Sequence, residues 1–207
     1  MIDLVFPKND ENAFIALAER LGLQGLCFVY DRPTPPPQVK TSLKLFSAVL
    51  CTEETIRKYK GQHLTVMRCP SDQSRIRLVL EQSKPDILFG LEFSGRSDFI
   101  HHRASGLNHI HADLARKNDI IIGFSFSDIL SSSSRRRSIV MGRLSQNIIF
   151  ARKFGFTACI ASFAAKPYHL RSPRDLSSFF EALGMHPSDA ASSLGSVFKR
   201  LETINKR

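Results

Sequence analysis

The chain has no apolar run approaching the ~20 residues a helix needs to cross a bilayer, which excludes a hydrophobic helical span. Its first residues, MIDLVFPKNDEN, carry acids early and no basic stretch before an apolar one. No secretory signal is therefore expected, and the expected address is cytoplasmic. Cysteine is scarce: Cys27, Cys51, Cys69 and Cys159 show no C-x-x-C spacing, and each lies in or beside a strand-like run. They are expected to be reduced, buried, small hydrophobes rather than a disulfide framework or a zinc site. Also missing are the G-x-S-x-G elbow, the G-x-x-x-x-G-K-[ST] phosphate loop, G-x-G-x-x-G and H-E-x-x-H, and no cysteine is flanked as a nucleophile. These absences weigh against the common nucleotide-binding and hydrolytic enzyme classes.

What the chain does have is positive charge in one place. The formal net charge is +10. Residues 96–174 hold thirteen Lys/Arg against four Asp/Glu, so +9 of it falls within that segment and the remainder is close to neutral. A charge excess confined to one stretch points to a polyanionic partner, nucleic acid or a ribonucleoprotein, more strongly than a uniformly high pI would. A membrane surface fits less well, because the arginines are not joined to an apolar face that could insert.

The apolar pattern gives the fold. Strand-like runs lie near 2–6, 25–30, 44–50, 63–68, 86–91, 119–124 and 157–162. Segments of helical spacing lie at 10–21, 52–60, 71–82, 104–117, 137–154 and 173–183, with a last helix at about 188–204. Strands alternating with helices predict βα units and a parallel sheet, and near-continuous apolar strands predict a sheet covered on both faces. Seven strands with an unclear eighth predict a single α/β domain over 1–207, a TIM-like barrel, regular or distorted. A doubly wound open sheet is the alternative. The segment 31–40, DRPTPPPQVK, cannot be a helix and is expected as an extended surface crossover. Residues 131–137, Ser-rich and then Arg135-Arg136-Arg137, are expected as a flexible basic loop.

Function in such barrels gathers at the C-terminal ends of the strands. Those positions supply Lys8, Asp31, Arg32, Arg68, Glu92, Arg96, Ser125, Ser127, Asp128 and Lys166. The carboxylates Asp31, Glu92 and Asp128, with a loop histidine, could serve a metal-dependent phosphoesterase, whereas His101 and His102, adjacent in a loop, suit polar contacts better. Acidic strand-end residues are common turn formers, so capping turns or pairing with neighbouring arginines is the favoured reading of these carboxylates. His109 and His111 form an H-x-H, but on a helix they point about 200° apart and cannot chelate one ion. No metal site is expected. The helix near 106–117, capped by Ser105, is expected to bury Leu107, Ile110 and Leu114 and to turn Asn108, Ala112 and Arg116 outward, with Lys117 following. The helix at 137–154 is expected to bury Val140, Leu144, Ile148 and Ala151 and to present Arg136, Arg143, Asn147 and Phe150 on one flank. Arg suits phosphate by its planar fork, and Asn suits bases or sugar hydroxyls. Arg171 and Arg174 flank Ser172-Pro173 at a helix start, where an anion is favoured.

Several of these residues carry a resemblance. Ser105-Gly106-Leu107-Asn108-His109, Ile122-Gly123-Phe124-Ser125-Phe126-Ser127, Gly142-Arg143 with Gln146-Asn147, and Arg171-Ser172-Pro173-Arg174-Asp175-Leu176 occur in one order, followed by Leu183-Gly184-Met185 and preceded by Asp3-Leu4. In this the chain resembles the ribonuclease P protein component three family over essentially its whole length. The resemblance implies an α/β barrel with no catalysis and no cofactor of its own. The RNA subunit, with Mg²⁺, would perform the 5′ maturation of precursor tRNA. The protein would work with other protein subunits, above all a small partner, and would meet precursor tRNA only indirectly. Arg103, Arg143, Arg171 and Arg174 sit inside or beside family-like motifs and are the leading RNA- or partner-binding candidates. The related barrel phosphoesterases place H-x-H after their first strand, and this chain has Val5-Phe6-Pro7-Lys8-Asn9-Asp10 there.

Overall fold

In the computed structural model the chain forms one α/β domain, described over residues 1–94, 97–98 and 100–205. Seven strands, β1 (Ile2–Val5), β2 (Gly25–Tyr30), β3 (Lys44–Leu50), β4 (Leu64–Arg68), β5 (Ile87–Phe89), β6 (Ile121–Ser125) and β7 (Ala158–Ala161), pair in sequence order and all in parallel. The helices are α1 (Glu11–Arg20), α2 (Ile56–Tyr59), α3 (Gln73–Leu78), α4 (His109–Lys117), α5 (Phe126–Ser131), α6 (Ser134–Phe154), α7 (Pro173–Ala182) and α8 (Pro187–Asn205). None of them, among the described residues, is long and apolar enough to cross a membrane.

The sheet closes on itself without an eighth strand. Past β7 the chain bridges back to β1 in parallel at Val5 and Ala164. Phe6 N–H donates to the Ala164 carbonyl at 2.8 Å, and Ala164 N–H donates to that of Leu4 at 3.2 Å. Asp3, fully buried, takes the Ser162 N–H at 2.7 Å and the Leu4 N–H at 2.9 Å on one oxygen and the Ser162 hydroxyl on the other. Burial pushes the Asp3 carboxyl up to about 6, against the pull of these hydrogen bonds. The seam thus replaces part of a strand ladder with one buried carboxylate, which is the distortion the weak eighth-strand signal left open.

Alternate residues of each strand fill the barrel. Ile2 and Leu4, Cys27 and Val29, Leu64 and Val66, Ile87 and Phe89, and Cys159 and Ala161 form one interior cluster, and Val197 and Leu201 of α8 belong to it. Arg200 of α8 reaches Asp86 and Asp119, just ahead of β5 and β6, so α8 covers the N-terminal end. The opposite mouth is filled by rings. Phe163 stacks on Phe89 at 4.6 Å between centroids, and Phe6 lies 5.7 Å from Phe89 and 6.4 Å from Phe163. A Cβ on Gly123 would stand 2.6 Å from the Phe163 ring, so only glycine lets that ring cross β6. All four cysteines are buried and free.

Three expectations about elements change. The segment 31–40 is extended as expected, but 131–137 is not a loop throughout: α6 begins at Ser134. Arg137 fixes the turn by donating to the carbonyls of Ile129, Leu130 and Ser132 at 2.9–3.1 Å, closing the C-terminal end of α5. The helix expected from about 106 starts at His109, because Asn108 rather than Ser105 is its cap, accepting the His111 N–H at 2.8 Å. Its inward positions are Ala112 and Ala115, while Ile110 is 41 % exposed. The proposed outward row of Asn108, Ala112 and Arg116 therefore does not exist.

Candidate nucleic-acid interface

The residues singled out from the sequence divide into two groups, one turned inward and one turned outward.

The inward group anchors the segment after β5. Arg143 on α6 is 6 % exposed. Its Nε donates to Asp98 at 2.7 Å and its Nη1 to the carbonyls of Glu92 at 3.0 Å and Ser94 at 3.3 Å. One turn on, Gln146 accepts the Arg103 N–H at 3.2 Å and donates to the Arg103 carbonyl at 3.2 Å and the Ser105 hydroxyl at 2.9 Å. Asn147, fully buried, donates to the Ser105 carbonyl at 3.0 Å. The Arg103 guanidinium lies across Gly142, where a Cβ would meet it at 2.4 Å, and is 3.6 Å from Asp98. Burial works to raise the Asp98 carboxyl, but the Arg143 hydrogen bond, the Ala104 N–H and the two guanidinium charges outweigh it and hold it below the usual range. Gly142-Arg143 and Gln146-Asn147 therefore form a clamp on Glu92, Ser94, Asp98, Arg103 and Ser105. Arg143 and Asn147, expected to meet RNA or a protein partner, are instead buried, and their N–H groups hold that loop. Asn108 serves as a cap, and Arg116 and Lys117 both pair with Asp113, at 2.9 and 2.8 Å. Arg96 lies outside the described residues.

The outward group surrounds α5, at the C-terminal end of the barrel. Ser125 caps α5, accepting the Asp128 N–H at 3.2 Å. Asp128 receives Arg68 in a two-pronged pair at 3.1 and 3.2 Å, and the Arg68 guanidinium lies 4.5 Å over the Phe89 ring. Arg171 sits 5.1 Å over Phe126, and Arg136 5.4 Å over Phe93. Lys166 stands 5.6 Å from the ring of Tyr168, itself 62 % exposed. Arg174 is exposed in the first turn of α7. Among the described residues none of Arg135, Arg136, Lys166, Arg171 and Arg174 has a carboxylate partner. Exposed cation–π contacts are worth only about 0.5–1 kcal/mol each, so their effect is to orient the cations rather than to neutralise them. The α7 start departs from expectation as an anion site of its own. Ser172 caps it and Asp175 already occupies it, accepting the Ser172 hydroxyl at 2.8 Å.

The carboxylates weighed for metal chemistry do not converge. Asp128 is held by Arg68, and Asp31 is exposed on its own turn. Glu92 is fully buried with no hydrogen bond to either oxygen, and burial pushes it up to about 8. Among the described residues no group of three His, Cys, Asp or Glu side chains is placed to share an ion. The set Asp31, Glu92, Asp128 plus histidine is therefore corrected. Sequence reasoning missed Phe93, Phe126, Tyr168 and His169. The signal was present in the interleaving of cation and ring in Lys166-Pro167-Tyr168-His169-Leu170-Arg171.

A profile of the family described as RNase P subunit p30 matches residues 2–205. The protein named ribonuclease P protein component 3 of Methanosarcina mazei is 31% identical over 63% of this chain, an alignment that spans about half (51%) of that relative. The protein of the same name from Methanosarcina barkeri is 25% identical over 96% of this chain and 85% of its own length. A chain in a cryo-EM structure of archaeal ribonuclease P with mature tRNA superposes with a TM-score of 0.79 at 21% identity, covering 100% of this chain and 92% of that one; at this identity the likeness is one of fold.

Proposed function

Because the chain belongs to the RNase P subunit p30 family, we propose that it is a protein subunit of ribonuclease P, assisting a catalytic RNA in the 5′ maturation of precursor tRNA. The observation that carries this reading is the unpaired, ring-backed set of cations around α5, set over a barrel mouth already packed with Phe6, Phe89 and Phe163. A mouth filled by aromatic rings offers a platform, not a pocket. A guanidinium seated over a ring still has N–H donors to offer phosphate. Where RNA strands converge, such cations offset phosphate repulsion and release condensed counterions, so less Mg²⁺ is needed to fold the RNA. The buried clamp of Arg143, Gln146 and Asn147 contributes indirectly, by fixing the loop beside this face. Other protein subunits, among them a small partner, share the assembly, and precursor tRNA is met through the RNA.

Reconstitution with the cognate RNA and candidate partner proteins tests the proposal. Replacing Arg136, Arg171 and Arg174 together by Gln should lower precursor-tRNA cleavage most at low Mg²⁺ and little at high Mg²⁺. Cleavage unchanged at every Mg²⁺ concentration would reject the role.

A further inference from the structure

The outward face contains one group that charge neutralisation does not explain. Tyr168 is a large aromatic side chain, 62 % exposed, whose hydroxyl makes no hydrogen bond among the described residues. It lies on a single 3-10 turn, Pro167–His169, that is fixed at every point. The His169 N–H donates to the Lys166 carbonyl and the Leu170 N–H to the Pro167 carbonyl, both at 2.9 Å. The His169 ring is buried, 2.7 Å from the Ser127 hydroxyl, and stands edge-on to Tyr168 at 4.7 Å. Leu170 is 2 % exposed, and Arg171 donates to the carbonyls of Tyr168 at 2.9 Å and Leu170 at 2.7 Å. The turn is thus held to α5 on one side and to the core on the other, while its central ring stays 62 % exposed, with the Lys166 ammonium 5.6 Å over one face and Arg171 bonded to the Tyr168 carbonyl.

We propose that Tyr168 is a stacking platform for an unpaired nucleobase, with Lys166 and Arg171 on the flanking phosphates. This rests on the ribonucleoprotein reading above and names the kind of RNA element the face takes. A base inside a duplex is already stacked and cannot reach a protein ring, so the platform selects a loop, bulge or strand end. Stacking tolerates any base, because each has a π face, and is strongest when the ring is held beforehand. The geometry supplies that: the backbone on both sides of Tyr168 is hydrogen-bonded, so little freedom is lost on contact.

Affinity for the cognate catalytic RNA, measured with the partner proteins present across a salt series, separates stacking from charge. Tyr168→Phe should bind like the parent. Tyr168→Ala should bind about ten- to a hundredfold more weakly, with an unchanged slope of log affinity against log salt. Lys166→Gln should instead lower the slope by about 0.7. If Tyr168→Ala binds RNA as tightly as the parent while Lys166→Gln still lowers the slope, the platform is wrong and the subunit reading stands. If Tyr168→Ala loses a protein partner and not RNA, the ring belongs to a protein contact and the platform is again overturned. If the parent protein has no affinity for the RNA at any salt concentration, the subunit reading itself falls.

Discussion

Arg143→Ala should unfold the loop without touching a partner. The side chain is 7 % exposed and, among the described residues, donates to the Asp98 carboxylate and to the carbonyls of Glu92 and Ser94. Removing it leaves two inward-facing carbonyls without that donor and Asp98, among the described residues, with the distant Arg103, at 3.6 Å, and the Ala104 N–H. Breaking a fully buried charge pair costs about 3–5 kcal/mol. Asp98 is 23 % exposed and solvent will recover part of that, so the expectation is about 2–4 kcal/mol. In a domain of this size that lowers Tm by roughly 4–16 °C. Hydrogen exchange should show lost protection concentrated at Ser94 and between Arg103 and Ser105, with the barrel strands little changed. Arg143→Lys should not rescue, since one ammonium cannot reproduce a fork that meets three acceptors. The reasoning fails if Arg143→Ala keeps the parent Tm to within about 2 °C. A normal Tm combined with weakened RNA affinity would return Arg143 to the role the sequence first suggested.

Two further outcomes follow from burial. Glu92 and Asp3 both have raised pKa values, about 8 and about 6, mainly from desolvation. Each therefore favours the fold fully below its unfolded value near pH 4, and that contribution is lost as pH rises, by about 6 for Asp3 and about 8 for Glu92. Stability in urea should fall from pH 5 to pH 8, and Glu92→Gln should flatten the upper part of the fall; a profile that rises across this range would refute the assignment. The thiols of Cys27, Cys51, Cys69 and Cys159 are all pushed up by burial, so a thiol reagent should label none of them in the native protein at pH 7.5 and all four in denaturant; rapid native labelling of any one would contradict its placement.

The strands were legible because each is a short apolar run bounded by turn residues. The runs at 25–30 and 44–50 match β2 and β3 end to end, with the Pro-rich segment between them extended as its composition requires. Periodicity also found the buried stripe Val140, Leu144 and Ile148 of α6. It failed where a choice between equal local signals is made at long range. Ser105 and Asn108 are both good caps, and nothing local ranks them. The hydroxyl and carbonyl of Ser105 are engaged by Gln146 and Asn147, some forty positions away, which leaves Asn108 to start the helix. That shift of start went with a turned face. Ala112 and Ala115 pack inward and Ile110 looks out, the reverse of what a rule that buries the larger side chain expects. The six-residue α5 is too short to show a period.

The same long-range contacts redistribute the charge that first drew attention to residues 96–174. All four acids of that segment are engaged: Asp98 with Arg103 and Arg143, Asp113 with Arg116 and Lys117, Asp119 with Arg200, and Asp128 with Arg68. Arg137 is engaged as well, by backbone carbonyls. Among the described residues five cations remain around α5 without a carboxylate partner and with donors to spare, namely Arg135, Arg136, Lys166, Arg174 and Arg171, the last giving only its Nη1 to backbone carbonyls. Arg152 and Lys153 stand at the far end of α6, about 24 Å from Arg136 at 1.5 Å per residue. A +9 segment thus presents a face of about five unpaired charges. At roughly 0.7 per phosphate contact, that limits the salt slope of RNA bound at this face to about 3.5, well short of the ~9 that thirteen contacts would give. A steep slope near the larger figure would mean that RNA also reaches the distant pair or displaces the internal ion pairs. A slope near the smaller one fits cations held in place by rings and carbonyls, with specificity supplied by what lies between them.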